Sequence, residues 1–452
     1  MKTFKDKQFL RDFFRVSFPV MLHAFILFIV SFVDNIMVGS ISNEAISGVY
    51  AANQATFIFI CSSLGLISGA GIFIQQFFGA KDDEHIKQCF RYKLVASFIF
   101  LLIVIPLYYF VGEKIIYFYC HKDANASLIL EEGKSYLFVV ILSYIPFLFA
   151  SCYSTSLREL GHAKVSMIAG LVAFFVNVIF NSLFIFVFKL GVKGAAYATI
   201  MARCSELIVV AIISHKKKFS FCTGAFKKFY IENDLVKRVT KKSIFLFLNE
   251  VFWVTGMIMI SLAYSQRDNV LSALSVVYTM SDVFGIVFQG LSIGIGVLVG
   301  GYLGANEFEK AKDYASKIYV LGTCIALCAT LLLCALSPII PMLFKQIDGS
   351  QKILASKLIR IYGIFIPFYC FCTMNYVILK TGGKTILTFM LDSVLQWILY
   401  IPLAWILSSF TSLSLFYIYI AVQSADILKT IIGFILVKRG TWVQNITYSK
   451  NQ

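Results

Sequence analysis

FICSSLGLISGAGIFIQQFFGAKDDEHIK, residues 59–87, returns 225 positions later as FGIVFQGLSIGIGVLVGGYLGANEFEKAK, residues 284–312. Phe59 matches Phe284, Gly65 matches Gly290, Leu66 matches Leu291 and Gly69 matches Gly294. Gly71 with Gly296, Gly79 with Gly304, Ala80 with Ala305 and Lys87 with Lys312 match as well. Glycines held at one spacing inside an apolar run of helical length are hard to obtain from composition alone. A second echo, Leu157 and Gly161 against Leu379 and Gly383, falls at an offset of 222. The chain is internally duplicated, and its fold follows from what each copy contains.

Each copy is apolar. The 452 residues are 59% hydrophobic and 14% charged, with a mean hydropathy of +0.81, whereas soluble chains average about 45–50% apolar and about 25% charged. Twelve apolar runs are separated by polar breaks, at 14–38, 46–78, 92–111, 134–155, 164–188, 192–214, 243–265, 271–302, 315–340, 356–379, 385–408 and 413–437. A helix needs about 20 such residues to cross a hydrocarbon core of about 30 Å. The expectation is an all-α integral membrane protein: twelve transmembrane helices in two six-helix lobes, 1–214 and 243–452, joined by a basic cytoplasmic loop, 215–242. Six crossings per copy give both the same orientation, a parallel repeat about an axis along the membrane normal. Such repeats place a transport pathway between the halves and suit alternating access; a channel or a receptor has no need of the duplication.

The net charge of +16 invites a nucleic-acid reading, but the positions of the basic residues answer it. Of 40 Lys and Arg, 28 fall on the side of the N-terminus, the 215–242 loop and the C-terminus, and 9 on the other. That bias puts both termini in the cytoplasm of a multi-pass protein of the cytoplasmic (inner) membrane, with lipid rather than nucleic acid as its surroundings. The loop HKKKFSFCTGAFKKFYIENDLVKRVTKK reads as a solvated, lipid-facing connector. The first apolar run is too long for a cleavable signal. Eleven cysteines lie mostly within apolar runs and show no CxxC pair with a downstream His, so they read as small buried hydrophobes and no metal site or cofactor is expected.

Ionisable groups inside the runs are costly, about 2.5–3.5 kcal/mol each on insertion scales, and need a partner or a task. Arg203 with Glu206 and Asp426 with Lys429 are three apart and read as local ion pairs. Asp34 has no cation in the run before it. It sits near the outer end of the first segment, at the depth of Asn181 and, one turn deeper, Asn177 in the fifth, and of Thr199 in the sixth. A carboxylate, two amides and a hydroxyl at one depth suit a small cation or a proton; inter-helix hydrogen bonding by Asn and Thr explains the same pattern. Glu250, beside Asn249, reads as a proton carrier, a partner for a cationic substrate, or a boundary carboxylate neutralised by Lys241 or Lys242. Asp392, near Trp397 and Pro402, is a weaker candidate of the same kind, Asp282 has an open role, and His23 reads as a hydrogen-bonded structural histidine.

The motifs resemble the multidrug and toxic compound extrusion (MATE) family over nearly the whole chain. Pro19 followed by Val33-Asp34-Asn35-Ile36-Met37-Val38-Gly39, then Gln75-Gln76-Phe77-Phe78-Gly79-Ala80 and Gly194-Ala195-Ala196-Tyr197-Ala198-Thr199, are similar to its N-lobe signatures. Gly382-Gly383-Lys384-Thr385 with Asp392, Trp397 and Ile401-Pro402-Leu403, and the tail Arg439-Gly440-Thr441-Trp442, are similar to its C-lobe ones. The resemblance implies a monomeric antiporter coupled to Na+ or H+ that expels amphipathic, often cationic small molecules held between lobes. Asp34, Asn177, Asn181 and Thr199 fall on the family's N-lobe cation site, and Pro19 is the bending point of the first helix. Asn181 stands where archaeal DinF-like relatives carry Asp; an Asn there is similar to NorM-like members. Glu250 matches the seventh-helix acid of the NorM branch, whereas the tenth segment reads Phe368-Tyr369-Cys370-Phe371-Cys372, without that branch's second acid.

A lipid-linked precursor flippase of the same superfamily is the alternative transport reading, although its cavity would call for basic groups and the interior groups here are mostly acidic. An enzyme needs a nucleophile with a base or a metal; His23, His85, His121, His162 and His215 lie on separate segments with no HExxH, so none is expected.

Overall fold

In the computed structural model, which describes residues 6–121, 125–227, 229–267, 270–344 and 348–447, twelve helices are long and apolar enough to cross a membrane. They are α1 (Lys7–Gly39), α2 (Asn43–Gly79), α3 (Asp83–Cys120), α4 (Ala126–Glu159), α5 (Ala163–Val187), α6 (Gly191–Lys216), α7 (Asn233–Tyr264), α8 (Leu271–Gly304), α9 (Phe308–Leu336), α10 (Gly349–Thr381), α11 (Thr385–Phe410) and α12 (Leu415–Lys438). No strand occurs among the described residues. Most helices outrun the apolar runs, α3 and α4 by the widest margin, because a helix propagates past the apolar band once nucleated and is then stopped by its caps. Ser42 Oγ accepts from Ala45 N at 2.9 Å, and Asp82 Oδ1 from His85 N at 3.1 Å.

The duplication is written in the backbone. Lys81 and Asn306, 225 apart, are both left-handed, at φ 59° and 61°. Gly161 and Gly383 follow at an offset of 222, as do Lys218 and Gly440. Beside them the same closures recur: Asp82 N to Phe77 O at 3.0 Å and Glu307 N to Tyr302 O at 2.9 Å, His162 N to Leu157 O at 2.7 Å and Lys384 N to Leu379 O at 2.9 Å. These helix-to-next-residue bonds satisfy terminal carbonyls and demand a left-handed residue. Lys87 pairs with Glu84 at 3.2 Å in the first turn of α3, and Lys312 with Glu309 at 2.8 Å in that of α9.

The chain divides into two compact units, Pro19–Phe247 and Met1–Phe18 with Leu248–Gln452. In the first, Phe59 stacks on Tyr144 at 3.9 Å over a core that includes Leu137 and Leu148. In the second, Phe9 and Phe13 at the start of α1 are fully buried beside Leu291, Ile295 and Ile318. Asp6 caps α1 through Phe9 N at 3.0 Å and pairs with Lys317 at 2.7 Å. α3 turns Phe98, Leu102 and Phe110 outward, as lipid-facing surface does.

The connector departs from expectation in part. Residues from 233 belong to α7, and the stretch before it, mostly exposed among its described residues, is pinned at buried points: Phe221, Cys222 and Ala225 are buried, and Phe90 meets Phe221 edge-on at 4.9 Å. Arg91, itself buried, donates to Ala225 O and Tyr230 O, each at 2.8 Å. Burial pushes the Cys222 thiol up to about 11. The lysine-rich spelling hid the apolar anchors between the charges. None of the eleven cysteines forms a disulfide; six are buried, while Cys328 on α9 is exposed.

Candidate functional site

In the Pro19–Phe247 unit, Asn177 and Asn181 are one turn apart on α5, both almost fully buried. Asn181 Nδ2 donates to Asp34 Oδ1 on α1, and to Asn177 Oδ1 at 3.2 Å. Asn177 also acts on the Asp34 carboxylate. Asn181 Oδ1 is buried without a hydrogen-bond donor, an arrangement that costs about 1–3 kcal/mol. Immediately after Asn181 the helix widens into a π segment, Ser182–Val187, closed by Phe188 N to Leu183 O at 2.9 Å; such segments recur at functional sites. The oxygens of Asp34, Asn177 and Asn181 are hard ligands and fit a small cation.

Thr199 stands apart from this group. Its hydroxyl back-bonds to Ala195 O at 3.0 Å on its own helix and interacts with Tyr136 of α4. Sharing a depth with Asp34 did not fix its rotamer, because a Thr in a helix can always bond the carbonyl four residues back. Tyr136, buried and in the field of Asp34, is a residue that sequence reasoning missed. Its signal was a tyrosine inside an apolar run, whose hydroxyl must find a partner. Arg203 pairs with Glu206 at 2.8 Å as expected and lies 5.0 Å from the Phe147 ring centre, but its charge also reaches Asp34.

His23 is buried against Gly170 with Nε2 unpartnered, so this nitrogen does not make the structural hydrogen bond expected of it. Deeper in the same unit Lys93 is fully buried and donates to Glu159 at 2.6 Å, Thr155 at 2.9 Å and Ser156 at 3.2 Å. Gly71 is packed directly on the Glu159 carboxylate.

In the other unit the pairing predicted for Asp426 and Lys429 is overturned. Lys429 reaches from α12 to Asp392 on α11 at 2.5 Å, while Asp426 accepts from Tyr400 OH at 2.6 Å. The three-residue rule weighs only one helix, and a carboxylate on the neighbouring helix won. Asn249 Nδ2 donates to Asp392 Oδ2 at 3.1 Å, and Ser393 Oγ to Asn249 O at 2.8 Å. Trp397 Nε1 to Phe252 O at 2.9 Å and Trp405 Nε1 to Met259 O at 3.1 Å continue the seam between α7 and α11. Asp392 lies in a π segment, Met390–Val394. Glu250 is half-buried, attracted by Lys380 and repelled by Asp392. Asp282 is exposed and joins none of these clusters. Pro19 lies within α1 where one unit gives way to the other. No group of three or more His, Cys, Asp and Glu side chains able to hold a metal occurs among the described residues.

Twelve membrane helices in two parallel repeats, with carboxylate clusters inside the helices, define the class of secondary transporters. A family model, MatE, matches residues 19–183 and 245–406, one match in each repeat, and the chain belongs to that family of membrane transporters. It is 22% identical to the uncharacterized transporter YisQ of Bacillus subtilis (strain 168), over 98% of this chain and 97% of that one. To the probable multidrug resistance protein NorM of Thermotoga maritima it is 21% identical, over 98% of this chain and 95% of that one. The fold is similar to that of a multidrug resistance MATE family transporter of the MOP superfamily in an outward-facing conformation, with a TM-score of 0.85 at 17% identity over 95% of both chains. A MOP superfamily transporter from Pyrococcus furiosus, described as having a binding pocket of reverse polarity, matches with a TM-score of 0.83 at 18% identity, again over 95% of both chains.

Proposed function

We propose that the protein is a multidrug exporter of the cytoplasmic membrane that expels amphipathic organic cations in exchange for Na+ or H+ by alternating access. Two curated relatives support the export class, since they are named probable multidrug resistance proteins. The observation that carries the ion coupling is the Asp34, Asn177 and Asn181 cluster with the unpartnered Asn181 Oδ1. In the structure an amide NH2, a partial positive charge, faces the Asp34 carboxylate and the Asn177 oxygen. Turning that amide over presents a third oxygen, so a cation meets one full and two partial negative charges. A proton instead neutralises Asp34 alone.

Ion binding discharges a carboxylate inside the span and favours the conformation that pays least for it, which is how a ligand shifts a conformational equilibrium. Pro19 supplies the compliance in α1, because its missing N–H leaves the Arg15 carbonyl without its helical donor. The distribution of 28 basic residues against 9 supports cytoplasmic termini, so the bound ion enters from outside. Ethidium efflux from proteoliposomes with independently set sodium and pH gradients tests the proposal. Acceleration by either gradient supports it and names the ion; a rate indifferent to both contradicts it.

A further inference from the structure

Helices α6 and α12 hold the same positions in the two repeats, and each carries a base and an acid three residues apart, Arg203 with Glu206 and Asp426 with Lys429, one position out of strict alignment at the offset of 222. The charges are exchanged between repeats, and so is the outcome. In α6 the acid and the base close on each other at 2.8 Å. In α12 the base turns away and takes Asp392 at 2.5 Å. The reason lies on the preceding helix: at the offset of 222 that relates Gly161 to Gly383, Asp392 corresponds to Gly170, which offers no carboxylate. The α6 pair runs the other way, base before acid; in α12 Lys429 lies three residues after Asp426 on one helix face and already stands in its field, so the arrangement not taken is within its reach.

We propose that Asp392 is a subsite for an organic ammonium group, occupied in this structure by the protein's own Lys429, and that a cationic substrate binds by exchange, the lysine moving to Asp426. The charges close under this scheme. Asp392, Asp426 and Lys429 sum to one negative charge, so one singly charged ammonium leaves each carboxylate with one cation. The receiving acid is ready: Tyr400 OH holds Asp426 Oδ1 at 2.6 Å, leaving the second oxygen for Lys429. The vacated carboxylate keeps Asn249 Nδ2 on Oδ2 at 3.1 Å and offers Oδ1 to the incoming N–H. The pair is also reachable, with side chains 14% and 18% exposed, where Lys93 and Glu159 are sealed at 0% and 8%. Exchange leaves no charge unpaired, which matters because an orphaned buried charge is far more costly than a paired one. The proposal rests on the reading of the protein as an exporter of organic cations and names where the cation binds.

Rhodamine 6G, a fluorescent xanthylium cation whose two ethylamino N–H groups share the charge, is titrated into the detergent-solubilised full-length protein and followed by polarisation, with thermal melts as folding controls. Lys429→Gln removes the competitor and tightens binding at least tenfold. Asp392→Asn weakens it at least tenfold, and the double variant matches Asp392→Asn. Asp426→Asn leaves the Asp392 pair intact but gives the lysine nowhere to go, and weakens binding about tenfold. A folded Lys429→Gln protein that binds as the wild type does, or an Asp426→Asn protein with unchanged affinity, overturns the proposal. If Lys429→Gln does not fold, Asp426→Asn decides alone. No gradient is present, so the two failures separate: ion-driven efflux with binding indifferent to these variants defeats the exchange, and the binding pattern without ion-driven efflux defeats the coupling.

Discussion

Replacing Lys93 by Met tests how the Pro19–Phe247 unit is held together. The Lys93 ammonium has three donors and the structure uses them all: Glu159 Oε2 at 2.6 Å, Thr155 Oγ1 at 2.9 Å and Ser156 Oγ at 3.2 Å. Both side chains of the pair are sealed, at 0% and 8% exposure. Methionine matches the volume but strands the Glu159 carboxylate, and removing one partner of a buried pair costs about 3–5 kcal/mol. For a folded body of 150–250 residues each kcal/mol moves the melting temperature by about 2–4 °C, so a fall of roughly 10 °C is expected. Lys93→Met/Glu159→Leu removes both charges and should recover much of the loss, as coupled neighbours do. The assay is a thermal melt of the detergent-solubilised protein at low and high salt, with burial making the shift nearly salt-independent. A Lys93→Met protein melting within about 2 °C of wild type, or a double variant as unstable as the sum of the singles, would refute the assignment.

Gly71→Ala drives a methyl group into the Glu159 carboxylate and should lower stability by about 1–3 kcal/mol, read by the same melt. Arg91→Met removes two charge-assisted bonds to loop carbonyls, each worth about 1.5–3 kcal/mol. Local opening of the 215–232 segment should therefore rise at least about a hundredfold, seen as faster limited trypsinolysis there. A hydrogen bond from Lys317 holds the Asp6 carboxyl below its usual range. A carboxyl lowered by folding stabilises the native state above its unfolded value of about 4 and loses that contribution as pH falls through the lowered one. Amide exchange at the start of α1 should accelerate across that acidic window in the wild type and not in Asp6→Asn.

What the sequence made legible was periodic or duplicated. The runs announced twelve helices, the glycine spacing announced the repeat, and Asn177 and Asn181 could be placed against Asp34 because one turn and one depth suffice to bring them together. The losses have a common physical source. Lys429 was assigned to Asp426 because only neighbours within a helix are visible to a three-residue rule, while the stronger claim came from Asp392 on α11. Lys93 and Arg91 were counted as charges that orient the chain in the membrane, and both are buried structural donors. Thr199 back-bonds to its own helix and meets Tyr136, a side chain with no charge to flag it that lies in the field of Asp34. The glycine at Gly170, silent in a single sequence, becomes informative only beside its counterpart Asp392.

The most direct measurement of the proposed ion coupling is gradient-driven ethidium efflux by Asp34→Asn protein in everted membrane vesicles, at an expression level matched to wild type. Coupling through Asp34 predicts that this isosteric change abolishes the acceleration by sodium or proton gradients while the protein still folds and inserts. An Asp34→Asn protein that extrudes the dye at the wild-type, gradient-dependent rate would contradict it.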